Sequence, residues 1–402
     1  MQQHRILAEL MAETQELLSQ VPSTKRFLYK HLLKEQRVRL TGLRGTGKTT
    51  LLLQLAQHFP NALYLSSDHV DYDLKEVIKA YFQRYPEGVL LWDEAQYYKE
   101  WGRLAKYLAD RYPKARIYIS GSNALSLQFN ADIVRRYRAY ELSPLSFCEW
   151  LMLEKNTNLE PPRVEEAFLH HSIPPLEDFL LQLIDLTQGK LEESFYEFLL
   201  YGGFPFTKAH HPIREVAFSV IDRDFPVIEN VESSTLQAAK HVLMSVARLS
   251  QTGPLSLEKI RENEYLRGIS MGTLVKILDM MEKSGLVFSV SRCGSIVRQH
   301  RKPKKRYLPS PSMVAAFNYW HPHNLTTENR GYLLETYAAN YLHKLANYYS
   351  LPFCYGEKKE PDFKLGEQKI EVKSHRARTP YLTLSLALEV SSKHIPLYVL
   401  CF

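Results

Sequence analysis

The sequence has 402 residues, of which 45% are hydrophobic, and it carries a net charge of +7. This length predicts two to four domains, and because there is neither an apolar run of about 20 residues nor an apolar N-terminal core, we expect no membrane span and no secretory signal. The four cysteines form no CxxC pair, which argues against a disulfide framework or a zinc site and favours a reducing, cytoplasmic compartment: Cys148, Cys293, Cys354 and Cys401.

A helical segment is predicted at 1–33, followed by a P-loop core at 34–143. Between a predicted strand at 38–41 and a predicted helix at 50–58, the sequence matches G-x-x-x-x-G-K-[ST]. Backbone N–H groups of such a loop and the helix N-terminus surround phosphates, Lys48 would reach the β- and γ-phosphates, and Thr49 would hold Mg²⁺. A chance glycine turn is the alternative. The predicted nucleotide-binding residues are Gly42, Leu43, Arg44, Gly45, Thr46, Gly47, Lys48, Thr49 and Thr50.

The apolar run at 88–92 predicts a strand buried on both faces, and it ends in Asp93 and Glu94. Asp93 is expected to hold the metal through water, and Glu94 to polarise the attacking water. Further predicted strands at 62–66 and 116–120 alternate with helices. The pattern predicts an α/β fold with a doubly wound parallel sheet, whose ligands bind at the carboxyl edge.

Polar residues after the strand at 116–120 are candidates for sensing the γ-phosphate. Ser122 and Asn123 both qualify, and the sequence does not choose between them. Arg136 is the candidate for an arginine that acts on the γ-phosphate of a neighbouring subunit. Arg135 and Arg138 are the close alternatives, and a basic surface turn is the plain interpretation of all three.

A helical lid is predicted at 144–230, followed by a winged helix at 231–310. Its wing is predicted at 285–290 with a partner strand at 296–298, and the segment from Lys283 to Thr327 contains no acidic residue. Such a patch favours a polyanion, DNA first, through backbone contacts that are independent of sequence. A packing module or a solvated loop is the alternative. The predicted DNA-binding residues are Arg298, Arg301, Lys302, Lys304, Lys305 and Arg306.

A second chemical pattern lies at 320–402. Asp362, Glu371 and Lys373 form a PD…ExK motif, and Glu335 on a predicted helix completes the set. These carboxylates would hold Mg²⁺ or Mn²⁺, which lowers the pKa of a water, while the lysine orients it. A following helix and a strand at 395–401 would give the αβββαβ order of a nuclease-like domain. Binding DNA without cutting it is the alternative.

In combination these motifs resemble bacterial and archaeal AAA-type P-loop ATPases that carry a winged helix and a C-terminal PD-(D/E)xK restriction-endonuclease-like domain. Two departures are present: Arg135 stands where the family usually has a glycine before its arginine, and Pro361 replaces the aliphatic residue before Asp362. The segments that carry the resemblance are 42–49, 93–97, 119–122, 143–147, 201–205, 331–335, 360–363 and 371–373.

The function expected from these observations is ATP hydrolysis coupled to binding or remodelling of DNA, with branched or broken DNA as candidate substrates. ATP and Mg²⁺ are the implied cofactors, and a homo-oligomer, for instance a hexameric ring, is the implied assembly. Three alternatives stay open: an ATP-gated metal-dependent nuclease, a DNA-binding switch without catalysis, and an ATP-dependent switch with a protein partner. ATP turnover that responds to DNA separates the first expectation from the last.

Overall fold

The computed structural model describes residues 2–68, 72–123, 131–206, 210–295, 302–356, 360–375, 380–388, 390, 391 and 393–401. The chain divides into two compact units. The first comprises Met1–Ser143 and Arg223–Asn230, and the second comprises Pro144–Asp222 and Val231–Phe402. The finer division into five segments stays a prediction. No helix of the described ranges is long and apolar enough to cross a membrane.

The first unit is built on a five-stranded parallel sheet with the order β2-β3-β4-β1-β5. Apolar side chains of alternating residues fill both faces, as expected for a doubly wound sheet. The predicted α/β class with a parallel sheet is confirmed. The strands are β1 Arg37–Thr41, β2 Leu63–Ser66, β3 Val89–Asp93, β4 Arg116–Ser120 and β5 Arg138–Glu141. The helices are α1 Gln2–Ser19, α2 Leu28–Leu32, α3 Lys48–Ala56, α4 Leu74–Arg84, α5 Trp101–Arg111 and α6 Ala131–Arg136.

Helices lie on both faces of this sheet. One face packs against α1, α4 and α5, and the other against α2 and α3. The segment predicted at 1–33 therefore forms part of the first unit, where α1 contacts α4 and β2, and α2 contacts α3. Strand β3 is buried along its full length, which explains its uninterrupted apolar run before Asp93.

The second unit begins with helices and ends in a mixed sheet with the order β12-β11-β10-β9-β8-β6-β7. Its helices are α7 Phe147–Lys155, α8 Glu165–Leu169, α9 Glu177–Leu186, α10 Leu191–Tyr201, α11 His210–Ile228, α12 Ser233–Leu249, α13 Leu257–Arg261, α14 Met271–Ser284, α15 Pro311–Asn318 and α16 Thr327–Tyr349. The last residues of α11 belong to the first unit. The strands are β6 Phe288–Arg292, β7 Lys305–Tyr307, β8 Phe353–Tyr355, β9 Phe363–Leu365, β10 Gln368–Val372, β11 Leu382–Ser385 and β12 His394–Pro396.

The hairpin of β6 and β7 does not stand apart as a wing. Strand β6 pairs with β7 on one side and in parallel with β8 on the other, so the hairpin extends the C-terminal sheet. The partner strand expected at 296–298 lies outside the described residues, and β7 is the observed partner. The predicted winged helix and nuclease-like segments thus share one sheet, and neither assignment is established by this arrangement.

Two expectations about the C-terminal region are corrected. Among the described residues between β10 and β12 the chain forms strand β11, where a helix was expected. The strand expected at 395–401 is limited to β12 and continues as the short 3₁₀ turn Leu397–Val399.

The prediction that the cysteines stay unpaired is also wrong. Cys148 bonds to Cys401 and Cys293 bonds to Cys354, with Cα–Cα distances of 6.1 and 5.0 Å. The partners are 253 and 61 residues apart in the sequence, so their spacing gives no sign of the pairing. Only the fold brings them together.

The resemblance motif at 201–205 has a packing role in the second unit. A Cβ atom on Gly203 would lie 2.1 Å from Ser310 Oγ, so no larger residue fits there. The Gly203 carbonyl accepts from the Leu145 N–H at 2.9 Å, and its own N–H donates to Ser312 Oγ at 3.1 Å. This motif therefore positions the chain after α10 against Leu145, Ser310 and Ser312.

Candidate nucleotide-binding site

The P-loop connects β1 to the N-terminus of α3, as the sequence predicts. Gly42 has φ +154°, and a Cβ atom there would lie 2.4 Å from the Leu142 carbonyl oxygen. Glycine is therefore required at the first position of the motif. Because α3 begins at Lys48, its unpaired N–H groups point into the loop, where they favour an anion.

Lys48 lies inside the loop and is 5% exposed. Its Nζ donates to the carbonyl oxygens of Gly42 and Leu43, at 2.9 and 3.2 Å. Burial lowers the pKa of Lys48, while the carboxylates of Glu94 and Asp93 raise it. The net effect lowers the pKa of Lys48, and the carboxylates offset only part of the cost of burying its charge.

Asp93 collects hydrogen bonds from four groups at the end of β3. Thr49 Oγ1 and Tyr64 OH donate to its Oδ2 at 2.6 and 3.1 Å. Ser120 Oγ and the Glu94 N–H donate to its Oδ1. Burial and the Asp93 carboxylate raise the pKa of Tyr64, so this phenol stays a donor.

The pair of Thr49 and Asp93 fits the metal expected at this site. A hydroxyl and a carboxylate oxygen are hard ligands of the kind that Mg²⁺ prefers, and here they already face each other at hydrogen-bond distance. These two residues would hold Mg²⁺ next to the loop. When bound, the ion would neutralise phosphate charge.

Glu94 follows Asp93 in a left-handed backbone conformation with φ +49°. Gln96 Nε2 donates to Glu94 Oε2 at 2.5 Å, and Arg44 Nη2 lies 3.8 Å from the same oxygen. Burial raises the pKa of Glu94, and the positive charges of Lys48 and Arg44 lower it. A buried carboxylate with a raised pKa suits the predicted role of a base.

The side chain of Arg44 binds a carboxylate that the sequence interpretation missed. Its Nε and Nη2 lie 3.0 and 2.9 Å from Asp224 Oδ1, and Nη2 also donates to Tyr97 OH at 2.7 Å. Asp224 is 1% exposed and lies on the apolar stripe of α11. An acidic residue on such a stripe is the one sequence signal that could have indicated it. The stripe consists of Ala217, Val220, Ile221 and Phe225.

Both sensor candidates follow strand β4. Ser122 is fully buried, and its hydroxyl is among the groups that oppose the rise in the pKa of Asp224 caused by burial. Ser122 therefore lies close to the P-loop cluster. Asn123 is the last described residue of its range. Ser120, which the sequence interpretation did not single out, is the strand residue that contacts Asp93.

The candidate arginines are all engaged within the first unit. Arg136 forms a two-armed ion pair with Asp110, at 2.7 and 3.0 Å, and also contacts Asp132. Arg135 pairs with Asp132, and Arg138 with Glu35. Their action on a neighbouring subunit stays a prediction.

The C-terminal carboxylates lie close enough to influence each other, and two of them, Glu335 and Glu371, form ion pairs with lysines. Burial, with help from Glu335 and Glu371, raises the pKa of Asp362 to about 6. Lys305 Nζ lies 2.8 Å from Glu335 Oε1, and Lys373 Nζ lies 2.7 Å from Glu371 Oε1. Within the described ranges, no group of three or more acidic, histidine or cysteine side chains could hold a metal ion. A metal site at Glu335, Asp362 and Glu371 therefore stays a prediction.

Two of the predicted DNA-binding residues make contacts within the protein in the same region. Lys305 forms an ion pair with Glu335. Arg306 is 9% exposed, and its Nη1 donates to the Leu255 carbonyl at 2.6 Å. Neither side chain is placed to meet a phosphate backbone. Lys302 is exposed and Lys304 partly so. Arg298 and Arg301 lie outside the described residues.

Comparison with known proteins agrees with this geometry. Residues 34–151 match the model of a family described as AAA domain. The uncharacterized protein MJ1637 of Methanocaldococcus jannaschii is 30% identical over 352 residues, which cover 81% of this chain and 72% of that protein. The chain belongs to the MJ1637 family. The predicted AAA-type P-loop ATPase core is confirmed, whereas the winged helix and the nuclease-like domain stay predictions.

The solved structures found by comparison are less similar to this chain than MJ1637 is. AMPPCP-bound DnaA from Aquifex aeolicus is 18% identical, covers 64% of this chain and 86% of its own, and has a TM-score of 0.26. The Holliday junction branch migration motor RuvB of Thermotoga maritima is 14% identical, covers 70% and 89%, and has a TM-score of 0.27. TM-scores this low do not show that these proteins and this chain share an overall fold.

Proposed function

We propose that this protein hydrolyses ATP at the P-loop and couples the turnover to DNA. The observation that carries the ATPase is the contact of Thr49 with Asp93, with Lys48 buried in the loop and Glu94 next along the chain. These are the groups that phosphoryl transfer to water needs at one sheet edge.

In the reaction, the oxygen of a water forms a bond to the terminal phosphorus of ATP, and the bond from that phosphorus to the bridging oxygen breaks. Glu94 takes the proton of the water, and the products are ADP and inorganic phosphate. Lys48 and the N–H groups at the start of α3 bind the phosphate oxygens. Bound Mg²⁺ would neutralise part of their charge.

The DNA part of the proposal is supported by the basic segment that follows β6. Lys302, which is exposed, and Lys304, which is partly exposed, suit contacts with phosphates rather than with bases. Because Lys305 and Arg306 are directed into the protein, this surface is weaker than the sequence predicts. That observation favours, as the second candidate, an ATP-dependent switch with a protein partner.

The test is ATP hydrolysis measured alone and with single-stranded, duplex and four-way-junction DNA, with Lys48→Ala as the blank. Stimulation by one DNA form that is lost in the variant supports the coupled ATPase. Turnover that is lost in the variant but indifferent to every DNA leaves an ATPase with a protein partner. Turnover that survives Lys48→Ala contradicts the P-loop assignment itself.

A further inference from the structure

One charged cluster beside the P-loop is not explained by the roles of Lys48, Asp93 and Glu94. Arg44 stands at a variable position of the P-loop, and its guanidinium forms an ion pair with Asp224 in which the exposed fractions of the side chains are 14% and 1%. A buried, charge-assisted pair of this kind is costly unless both partners stay matched.

Asp224 also interacts with the second cation of the loop. The charge of Lys48 lowers the pKa of Asp224, and the charge of Asp224 raises that of Lys48. Glu94 and Asp93 act on Lys48 more strongly than Asp224 does, so Arg44 is the main partner of Asp224. The negatively charged oxygens of a phosphate would attract Arg44 and Lys48 in the same way.

The position of Arg44 places its charge near the site of hydrolysis as well. Its Nη2 lies 3.8 Å from Glu94 Oε2, the oxygen that Gln96 holds. Tyr97 OH accepts a hydrogen bond from the same Nη2 at 2.7 Å. An arginine beside the catalytic carboxylate is close to where the terminal phosphate must react, whereas a diphosphate lacks that group.

We propose that Asp224 competes with the terminal phosphate of ATP for Arg44, so that Arg44 binds ATP but not ADP at the third phosphate. This inference rests on the proposed ATPase function. When Arg44 turns to the phosphate, Asp224 loses its partner in a buried place and is repelled by the triphosphate. The end of α11 that carries Asp224 thus responds to the presence of the third phosphate.

The test compares two substitutions by their effect on nucleotide affinity. Binding of Mg²⁺ with AMPPNP and of Mg²⁺ with ADP is measured by calorimetry for the full chain. Asp224→Asn keeps the shape and removes the competing charge, so we expect AMPPNP to bind about tenfold tighter, with ADP affinity changed less than about twofold. Arg44→Gln should weaken AMPPNP by about tenfold and leave ADP within about twofold.

A double variant and a matched control complete the experiment. In Arg44→Gln with Asp224→Asn, AMPPNP should bind as in the single Arg44 variant, because Asp224 acts through Arg44. Asp222→Asn lies on the same helix and removes an exposed partner of Lys240, so it should leave both affinities unchanged.

The outcomes separate this inference from the proposed function. Equal loss of both affinities in Asp224→Asn, with a lowered melting temperature, makes Asp224 a structural support and overturns the competition. An unchanged ratio of AMPPNP to ADP affinity in both single variants overturns it too, while hydrolysis lost in Lys48→Ala would still support the ATPase. Absence of nucleotide binding by the wild type contradicts both.

Discussion

Asp93 shows how single residues decide this site. It is 1% exposed, and four donors from β2, β4, the P-loop helix and its own neighbour satisfy its oxygens. A buried carboxylate needs such partners because desolvation would otherwise favour its neutral form. The same contacts fix the direction in which Glu94 leaves the strand. In the proposed mechanism, Asp93 therefore positions the groups of this site and Glu94 acts as the base.

Glu94→Gln should separate binding of ATP from its hydrolysis. The amide keeps the size of the side chain but cannot accept the proton of the water, so we expect kcat to fall by about 10²- to 10³-fold with ATP affinity within about threefold. Single-turnover hydrolysis and AMPPNP binding measure the two quantities.

Glu100→Gln is the matched control for that variant. Glu100 is exposed and pairs only locally with Arg103, so both quantities should stay at the wild-type level. More than a third of the wild-type turnover in Glu94→Gln would remove Glu94 from the role of base.

The sequence predicted the local part of this site and missed the part made through space. The P-loop, Asp93 and Glu94 are recognisable because each motif is continuous and its neighbours form the matching strand or helix. Asp224 lies 180 residues from Arg44, and nothing between them sets their distance. Ser120 and Tyr64 likewise meet Asp93 only because β2, β3 and β4 are adjacent in the sheet.

Strand β7 shows why a run of charges does not reveal a surface. Lys305 and Arg306 are consecutive on this strand, so their side chains point to opposite faces. One meets Glu335 and the other meets the Leu255 carbonyl. From the sequence alone, both residues were predicted as DNA contacts, because the groups that they meet on each face of the strand lie at distant positions in the chain.

His343 of α16 should make the stability of the second unit depend on pH. Its ring stacks on Phe288 at 4.4 Å between centroids, and burial lowers the pKa of His343 to about 4. The ordinary pKa is about 6.5, so the unfolded chain binds a proton first as the pH falls. The contribution of His343 to the free energy of unfolding is therefore fully present above about pH 6.5. It falls by up to about 3 kcal/mol as the pH drops from about 6.5 to about 4.

Urea unfolding at pH 7 and pH 4.5 tests this dependence. In His343→Gln the drop in unfolding free energy between the two pH values should shrink by about 2 to 3 kcal/mol relative to the wild type. His323→Gln, at an exposed histidine, serves as the control and should keep the wild-type drop. Equal drops in wild type and His343→Gln would contradict the assignment.

The paired cysteines predict a response to reductant. The bond from Cys293 to Cys354 ties the end of β6 to β8, and the bond from Cys148 to Cys401 ties α7 to the C-terminal turn. Closing loops of this length stabilises a fold by about 2 to 4 kcal/mol. We expect dithiothreitol to lower the melting temperature of the wild type, and less so that of Cys354→Ser.

Peptide mapping without reductant checks the pairing directly. After alkylation of free thiols, the wild type should yield the two linked peptide pairs, and Cys354→Ser should yield only the pair from Cys148 and Cys401. Alkylation of all four cysteines in the wild type before reduction would refute the pairing.

For the molecule as a whole, the sequence predicted the first unit better than the second. The strands and helices of the first unit follow one repeated pattern, strand then helix, so the P-loop fixed the order of what came after it. In the second unit, the paired residues of β6 and β8 lie 63 positions apart in the sequence, and the predicted wing and the C-terminal strands form one sheet. Pairing between distant strands has no local signature. The sequence therefore predicted a domain boundary at 310–320, although the sheet includes strands from both sides of it.

The salt dependence of DNA affinity is the sharpest test of whether this protein binds DNA. Each phosphate contact releases counterions, so the slope of log affinity against log salt counts the contacts. If Lys302 and Lys304 bind phosphates, Lys302→Gln with Lys304→Gln should make that slope shallower by about 2.

Arg306→Gln should leave the slope unchanged, because Arg306 is buried, and should instead lower the melting temperature. Lys364→Gln, which removes a partly exposed lysine of β9 next to Glu367, is the control for general charge. Fluorescence anisotropy with duplex DNA between 50 and 200 mM salt, a range in which such slopes are resolved, measures all four proteins. An unchanged slope in the double variant would show that Lys302 and Lys304 do not touch DNA, and it would favour a protein partner.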